Sequence, residues 1–482
     1  MYDGTNLVNF SGTGYDGDAT TTPVTIADYW IWKFANNTDG DYSAWEHTRG
    51  TGTILPGEGF TMKGPGSASS EQNYTFLGKP NNGDVSLTIS QYNDYLVGNP
   101  YASAIDARQF IIDNGPELFY NDDASDPADD ELDATTSGTL YFWDHYGGSD
   151  HILGNYQGGY ATYNLAGSVG APYSETATPD PDVSPSGSGT KAPGRYIPVG
   201  QGFFVVADNG GTINFNNGQR VFKKENSTNG ESFRSNTPTN NNVSQGSGVE
   251  EDASDPRQKI RIGYKSPTNQ NRQLLLTIDE QTTTGIDWGY DSTTYDYMDD
   301  DMFWGINDGF YVIQATNEMD EFSSYPLIIY TSVDGNNIIK LDGLSNIEND
   351  QDIYLHDNEL GVYHDLKTNS YEIFLSAGYY DSRFSIVFSN QSQSLSTDDI
   401  VENENLDVIY ANNIDKIVLL NPHGLEVNNI QLYNLLGQHM ITINDIKSGN
   451  QTEYNVGNLS AGAYIIKLNT VSGSVSKKVL VN

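Results

Sequence analysis

Short strand-like segments constrain the fold of this chain most. Apolar and aromatic runs such as 139–143 (TLYFW), 260–264 (IRIGY) and 384–388 (FSIVF) recur along the sequence and are separated by Gly, Asn and Asp. Tyr and Phe favour pleated, half-buried surfaces, and Gly, Asn and Asp supply turns. No long stretch has the spacing of an amphipathic helix. The pattern therefore predicts an all-β chain.

The charge of the chain limits its partners. Its 482 residues include 64 acidic and 24 basic residues, which gives a formal net charge of −40. Nucleic-acid binding requires Lys and Arg to displace counterions, so we expect no nucleic-acid partner. There is no cysteine, which excludes disulfides and thiolate metal sites. No run of about 18 apolar residues is present, so we expect no transmembrane helix.

Two polar stretches divide the sequence. Residues 226–257 and 391–405 are rich in Ser, Asn, Thr, Gly and acids, and such composition cannot offset its own ordering entropy. The sequence thus predicts a β module at 1–225, a flexible linker at 226–257, a second β-sandwich at 258–390, an acidic linker at 391–405 and a last domain at 406–482. We expect tandem antiparallel β-sandwich or jelly-roll-like domains.

Two loops of the first module resemble each other. Residues 55–60 (LPGEGF) match 197–203 (IPVGQGF) apart from one inserted residue, and each precedes a strand. Either the module is internally duplicated, or Pro-x-Gly simply suits a turn before a strand. In the second module, residues 354–357 and 362–365 flank a Gly-containing turn and predict a hairpin.

Three ordered motifs occupy the end of the chain. Residues 432–438 (LYNLLGQ), 459–468 (LSAGAYIIKL) and 477–480 (KKVL) resemble the type A C-terminal sorting domain of the Bacteroidetes type IX secretion system. The resemblance implies a small seven-stranded, Ig-like β-sandwich that is recognised by the translocon, shuttle and sortase. It also implies a product that is secreted or held at the outer cell surface. The residues that carry the signal would be Gly437, Gln438, Gly462, Tyr464, Lys477 and Lys478.

The same terminal residues have a simpler physical interpretation. Lys477 and Lys478 form a basic pair in an acidic chain, which suits either acidic groups on a receptor or protection of an edge strand from unwanted pairing. Gly462 precedes an apolar strand and predicts a turn with positive φ. The first residues lack the features of a signal peptide, so we expect a mature segment or a fragment.

The upstream sequence carries a less specific resemblance. Residues 96–101, 138–145 and 195–203 resemble modules of large flavobacterial cell-surface proteins, and 287–291 with 381–384 resemble the β module that often precedes the sorting domain. No activity accompanies these modules.

Acidic clusters are candidate calcium sites, because carboxylates in loops can supply the oxygens that calcium requires. Neither cluster has the spacing of a helix–loop–helix calcium site, and charge runs are usually solvated. The text around the first cluster recurs at 252–256, within a predicted linker, which weakens the case for a dedicated site. The candidate ligands are Asp122, Asp123 and Asp126 in one cluster and Asp299, Asp300 and Asp301 in the other.

The six tryptophans are the other functional candidates. Aromatic faces beside carboxylates bind sugars by stacking and hydrogen bonding, whereas the alternative is that these rings fill sandwich cores. No histidine pair has the spacing of a zinc site, and no Gly-x-Ser-x-Gly nucleophile turn is present. The tryptophans are Trp30, Trp32, Trp45, Trp143, Trp288 and Trp304.

Three functions follow from these patterns. The first is a non-enzymatic, exported surface protein, adhesin-like or structural, with calcium as a candidate ligand. The second is a carbohydrate-binding accessory region of a larger secreted hydrolase, with surface glycans as partners. The third is a complete enzyme, for which the sequence offers no catalytic motif.

Overall fold

The structure is a computed structural model. It describes residues 1–38, 42–66, 74–116, 134–147, 157–175, 192–223, 255–390, 407–411, 416–421, 427–434, 439–449, 451–457, 459–460, 462–470 and 473–481. The chain divides into two compact units, Met1–Gln391 and Ser392–Asn482. Both units are built almost entirely of strands, as the sequence predicts.

Sixteen strands come first among the described residues of the first unit. In chain order they are β1 (Asn9–Ser11), β2 (Thr25–Ala27), β3 (Trp32–Lys33), β4 (Asn37–Thr38), β5 (Glu46–His47), β6 (Val85–Ser90), β7 (Asn93–Gly98), β8 (Ala104–Asp106), β9 (Thr136–Gly147), β10 (Gln157–Tyr163), β11 (Ser168–Val169), β12 (Tyr173–Ser174), β13 (Tyr196–Ile197), β14 (Gly202–Ala207), β15 (Gly210–Phe215) and β16 (Arg220–Val221).

Eleven further strands follow in the described part of the first unit. They are β17 (Lys259–Lys265), β18 (Gln270–Ile278), β19 (Ser292–Thr293), β20 (Asp301–Ile306), β21 (Gly309–Thr316), β22 (Ser324–Thr331), β23 (Gly335–Ser345), β24 (Tyr354–Asp357), β25 (Val362–Asp365), β26 (Tyr371–Leu375) and β27 (Gly378–Val387).

Helical structure is confined to short segments in the described residues. The helix α1 (Ala107–Asp113) begins after Asp106, whose side chain accepts a hydrogen bond from the Arg108 amide and so caps the helix. Its Phe110 and Ile111 are fully buried. Three single 3-10 turns lie at Asp28–Trp30, Tyr42–Ala44 and Asn217–Gln219.

The largest sheet has twelve strands. Its main path is β25-β24-β27-β22-β20-β21-β18-β17-β23-β26, with β12 paired to β18 and β19 paired to β21. Pairing is antiparallel apart from β18 and β21, where Leu275 lies opposite Ile313 in parallel register. The predicted hairpin is present as β24 and β25, with Gly361 at φ 64° in its turn. Met302 and Trp304 of β20 both point into the core, because alternate strand residues share a face.

A second sheet of six strands has the order β11-β10-β9-β14-β7-β4. One of its faces supplies Val97, Leu140 and Phe203 to the main core. The opposite face is also covered, and there Phe34, Leu96, Tyr141 and Phe204 form a separate aromatic-rich cluster. Each strand in the middle of this sheet is therefore apolar on both faces, which explains its continuous apolar sequence. The remaining small sheets are β1-β2, β3-β5, β15-β6 and β13-β8-β16.

The two stretches that the sequence separates as modules belong to one compact unit. A single hydrophobic core extends from Leu87 to Phe388. Trp288 donates from Nε1 to the Thr136 carbonyl at 2.8 Å, and Asn164 donates from Nδ2 to the Tyr290 carbonyl at 2.7 Å. The polar composition at 226–257 predicted two domains here, but the apolar faces on either side of it are buried against each other. Residues 226–254 of that linker lie outside the described residues.

The two similar loops lie on opposite edges of β7. Gly59 donates from its amide to the Leu96 carbonyl at 2.9 Å, whereas Gly202 pairs with Gly98 across the other edge. A Cβ at position 59 would lie 2.6 Å from the Val97 carbonyl oxygen, so glycine is required by the close approach of the two backbones. Each of the two similar loops thus places a backbone segment alongside β7, one at each edge of that strand.

The second unit is a small sandwich. Its strands are β28 (Asp407–Ala411), β29 (Lys416–Leu420), β30 (Val427–Asn434), β31 (His439–Ile443), β32 (Gln451–Asn455), β33 (Gly462–Thr470) and β34 (Gly473–Val481). They form the sheets β28-β29-β32 and β31-β30-β33-β34 around a core that includes Val408, Ile417, Ile430 and Ile466. These seven described strands agree with the sandwich that the terminal motifs imply.

Candidate functional site

Two of the predicted sorting residues, Gly462 and Tyr464, lie at the start of β33 in the second unit. Tyr464 is buried on β33 and donates from its hydroxyl to the Ser460 carbonyl at 2.9 Å. Gly462 begins β33 at φ 158°, close to extended backbone, and its position is exposed. Tyr464 therefore anchors the start of the strand to the preceding turn.

The basic pair lies on the last strand. Lys477 and Lys478 are cross-strand neighbours of Ile466 and Ile465 on β33. The side chain of Lys478 and the residues Gly437 and Gln438 lie outside the described residues.

The acidic cluster at 299–301 is used within the protein. Asp301 forms a buried ion pair with Arg272 at 2.6 Å, and Asp300 accepts hydrogen bonds from the Ser332 amide and the Thr268 hydroxyl. Burial acts to raise the pKa of Asp300, but these hydrogen bonds outweigh it and hold that pKa below its ordinary value. Asp299 is exposed and apart from this arrangement.

This cluster therefore does not fit the calcium site expected from the sequence. Among the described residues, no three His, Asp or Glu side chains lie together in a way that would hold a metal ion. The first acidic cluster, with Asp122, Asp123 and Asp126, lies outside the described residues.

The tryptophans divide between core and surface. Trp30 and Trp304 are buried, and Trp304 donates from Nε1 to the Leu275 carbonyl at 3.0 Å. Trp32 stacks on His47 with ring centroids 4.0 Å apart. Trp45 and Trp288 are partly buried against apolar neighbours. Trp143 differs from the others, because 45% of its side chain is exposed.

A group of aromatic rings lies on the outer face of the twelve-stranded sheet, opposite Met302 and Trp304. Its members come from β20, β21, β22, β27 and the segment before β20. We call it the aromatic platform, and it consists of Tyr297, Phe303, Phe310, Tyr330 and Tyr379.

Ring contacts connect the platform. The ring centroid of Phe303 lies 5.7 Å from that of Tyr297 and 5.3 Å from that of Phe310. The centroids of Phe310 and Tyr379 are 6.4 Å apart. Tyr330 is the direct cross-strand neighbour of Tyr379. Phe303 is buried and forms the floor, whereas Tyr297, Tyr330 and Tyr379 are 63%, 44% and 52% exposed. The surface is therefore aromatic, open and supported by regular strands.

The sequence places this platform through local turn chemistry. The two-residue turn between β20 and β21 is Asn307-Asp308, with φ 47° and 64°. Positive φ at both positions is typical of the tight hairpin turn that matches strand twist, and Asn and Asp tolerate it. The turn sets Phe310 opposite Gly305, so that Phe310 lies on the outer face.

Acidic groups flank the rings. Tyr379 has a raised pKa because of local desolvation and the nearby carboxylates of Asp381 and Asp308. Both carboxylates are exposed. Beneath the platform, the Arg272 guanidinium lies 5.5 Å from the Phe303 ring centre. Hydrogen-bond acceptors at the rim and flat apolar faces between them are the features that bind the hydroxyls and C–H faces of a sugar.

The sequence pointed to the tryptophans as the stacking residues and did not predict this platform. The signal was present in β20, where Met302 and Trp304 alternate with Phe303, and in the Asn-Asp-Gly turn that follows. Predicting the platform requires the order of the strands in the sheet, because Tyr297, Tyr330 and Tyr379 are distant in sequence.

Comparison with known families covers most of the chain. Residues 17–388 match a family described as a domain of unknown function (DUF8693), and residues 408–482 match the secretion system C-terminal sorting domain. No curated protein matches the chain. Within the described residues, no helix is both long and apolar enough to cross a membrane.

The sorting domain shows that the protein is exported through the type IX system to the cell surface or the extracellular space, and that it interacts with the machinery of that system. The first unit coincides closely with the larger family match. The chain thus belongs to the DUF8693 family and carries a type IX sorting domain at its end.

Proposed function

We propose that this exported protein is a non-enzymatic, adhesin-like glycan-binding protein, and that the aromatic platform is its binding surface. The observation that supports this is the exposure of three tyrosine rings around Phe303: Tyr330 and Tyr379 lie on strands, and Tyr297 lies in the segment before β20. Large contiguous apolar patches are uncommon on the surface of a soluble monomer and often mark a binding site. Rings held on strands keep their orientation, so little conformational entropy is lost when a ligand stacks on them.

The charge of the surface favours a neutral or amino sugar. Asp308 and Asp381 lie beside Tyr379, and the chain as a whole carries a formal charge of −40. A sulfated or uronic-acid glycan would meet like charge, which opposes association. A neutral sugar donates hydroxyl hydrogen bonds to these carboxylates without that penalty.

A carbohydrate-binding accessory region of a secreted hydrolase would use the same platform. The open platform favours binding over hydrolysis at this surface, because hydrolysis requires an acid and a base placed on either side of a glycosidic bond. The upstream resemblance to flavobacterial surface modules agrees with this role. Recognition of the sorting domain by the shuttle and its processing by the sortase complete the proposal.

Isothermal titration of the purified chain with neutral oligosaccharides tests the proposal. Candidate ligands are fragments of glucan, mannan, xylan and chitin, with polyuronates and sulfated glycans for comparison. We expect Tyr297→Ala and Tyr379→Ala each to weaken binding by about tenfold, as loss of one stacking contact of about 1.4 kcal/mol would do.

Phe374→Ala is the matched control. Phe374 is also an exposed ring, but it lies on β26 at the far end of the same sheet. Binding that is unaffected by the platform variants, or equally affected by the control, would reject the platform as the site. Release of reducing sugar by the purified chain would instead support an enzyme.

A further inference from the structure

We propose that the binding surface continues from the aromatic platform onto the face of the six-stranded sheet that carries Trp143, so that the ligand is a long linear glycan chain bound along its length and not a terminal sugar. This inference rests on the proposed function, since it extends the same site. Three observations support it: a second exposed ring, a chain of ring contacts leading towards the platform, and a rigid segment that joins the two sheets.

The second exposed ring is Trp143 on β9. A Cβ at Gly158, on the neighbouring strand, would lie 2.2 Å from the indole. The absence of a side chain at Gly158 therefore lets the indole rest directly on the backbone of β10. The ring is thus held in place while 45% of its side chain stays exposed. An immobilised, half-exposed indole is a preorganised stacking surface.

Ring contacts lead from Trp143 towards the platform. The ring centroids of Trp143 and Tyr160 are 5.1 Å apart, and those of Tyr160 and Tyr295 are 4.7 Å apart. Tyr295 is two residues before Tyr297, the most exposed ring of the platform. Two residues of extended chain span at most about 7 Å, so the two aromatic groups are separated by one short backbone step.

Hydrogen bonds to both sheets hold the backbone segment 295–297 in place. Tyr295 donates from its hydroxyl to Asp94 of β7 at 2.5 Å, and the Asp296 carboxylate accepts from the Tyr160 amide at 2.5 Å. On the other side, Arg272 of β18 donates to the Asp296 carbonyl at 2.7 Å. Residues 295–297 are therefore fixed to the six-stranded sheet and to the twelve-stranded sheet at once.

Two exposed stacking surfaces on one rigid body have a consequence for ligand length. A short oligosaccharide can occupy only one of them. A chain long enough to reach both gains the second contact as an intramolecular event, at an effective concentration set by the short connection. We therefore expect affinity to rise with chain length beyond what the platform alone provides.

The test uses linear β-1,4-linked gluco-, manno- and xylo-oligosaccharides of two, four, six and eight units, titrated into the full chain. We expect Trp143→Ala to lower affinity for the longest bound oligosaccharide by about tenfold and to leave the shortest unchanged. Trp143→Phe keeps a ring at the position, so it should restore most of the lost affinity. Circular dichroism and thermal melting of each variant check that the fold is retained. If Trp143→Ala does not fold, the parent chain provides the test, because an affinity that does not rise from four to eight units would overturn the extension.

The possible failures are distinguishable. If both Trp143 variants bind every chain length as the parent does while Tyr297→Ala weakens all of them, the extension is wrong and the platform stands. An equal loss at all lengths from Trp143→Ala would also overturn the extension, because it would place Trp143 inside the minimal site. If no oligosaccharide binds the parent chain, the proposed function itself fails.

Discussion

Arg272 and Asp301 form a two-pronged ion pair inside the twelve-stranded sheet, with Nη2 to Oδ2 at 2.6 Å and Nε to Oδ1 at 2.7 Å. Both side chains are almost completely buried. The same guanidinium binds the Asp296 carbonyl and lies under Phe303, so one cation supports both the platform floor and the segment that carries Tyr297.

Asp301→Asn should therefore be strongly destabilising. Removing one partner of a buried pair leaves an uncompensated charge, which lowers the free energy of unfolding by about 3–5 kcal/mol. Urea unfolding of the variant and the parent measures this difference. Glu175→Gln is the control, since its 2.6 Å pair with Lys265 is partly exposed and should contribute less than about 1 kcal/mol. Equal losses in the two variants would contradict the role of burial.

A second prediction concerns pH. Burial raises the pKa of Asp291 to about 7, although its carboxylate accepts hydrogen bonds from the Asp287 and Ala315 amides. The pKa in the folded state is above that in the unfolded state, so folding favours the protonated form. The stabilisation is complete below about pH 4 and is lost as the pH rises through 7.

Asp291→Asn isolates this effect. The side-chain amide at position 291 has one hydrogen-bond acceptor in place of two, so the variant loses some stability, and it loses the same amount at every pH because the amide does not titrate. Relative to the parent, the variant should therefore gain on the order of 4 kcal/mol of stability between pH 4 and pH 8, at 1.36 kcal/mol for each pKa unit. Urea midpoints for both proteins across that range provide the measurement, and a constant difference would count against a raised pKa.

A third prediction tests the packing that unites the first unit. Gly138 has φ 75°, and a Cβ there would lie 2.5 Å from the Cα of Gly289 and 3.1 Å from the Trp288 ring. Gly138→Ala should cost more than the roughly 1–3 kcal/mol expected from the backbone conformation alone. Gly361→Ala is matched to it, because Gly361 has φ 64° and nothing within 4 Å of its Cβ position. Thermal unfolding should show Gly138→Ala to be clearly the less stable variant.

Export is the subject of the fourth prediction. Residues 400–482, fused behind a signal peptide and a reporter in a host with the type IX system, should carry the reporter to the cell surface. Lys477→Ala combined with Lys478→Ala should reduce surface reporter several-fold if an acidic receptor reads these charges. Lys416→Ala is the control, because Lys416 is an ordinary exposed lysine that pairs with Glu453 at 2.8 Å. A reporter that remains in the periplasm would rule out an independent signal in this segment.

Local patterns in the sequence predicted a large part of the architecture. Apolar runs separated by Gly, Asn and Asp predicted an all-β chain and the hairpin of β24 and β25, and the resemblance to the sorting domain implied its seven strands. These features depend on neighbours in sequence, so a single chain is enough to reveal them. The calcium interpretation of Asp300 and Asp301 was not supported, because a charge run looks solvated in sequence whichever partners it meets in the fold.

The sequence by itself determined the export signal, the strand-rich fold and the acidic character that opposes anionic partners. Only the tertiary structure decided that 1–225 and 258–390 share one core, since burial of one apolar face against another depends on contacts far apart in the chain. It also decided which rings stay exposed. Phe142 and Trp143 are adjacent residues of β9, yet Phe142 is buried in the core and Trp143 is 45% exposed. A strand directs consecutive side chains to opposite faces, and only packing determines how far each face is covered.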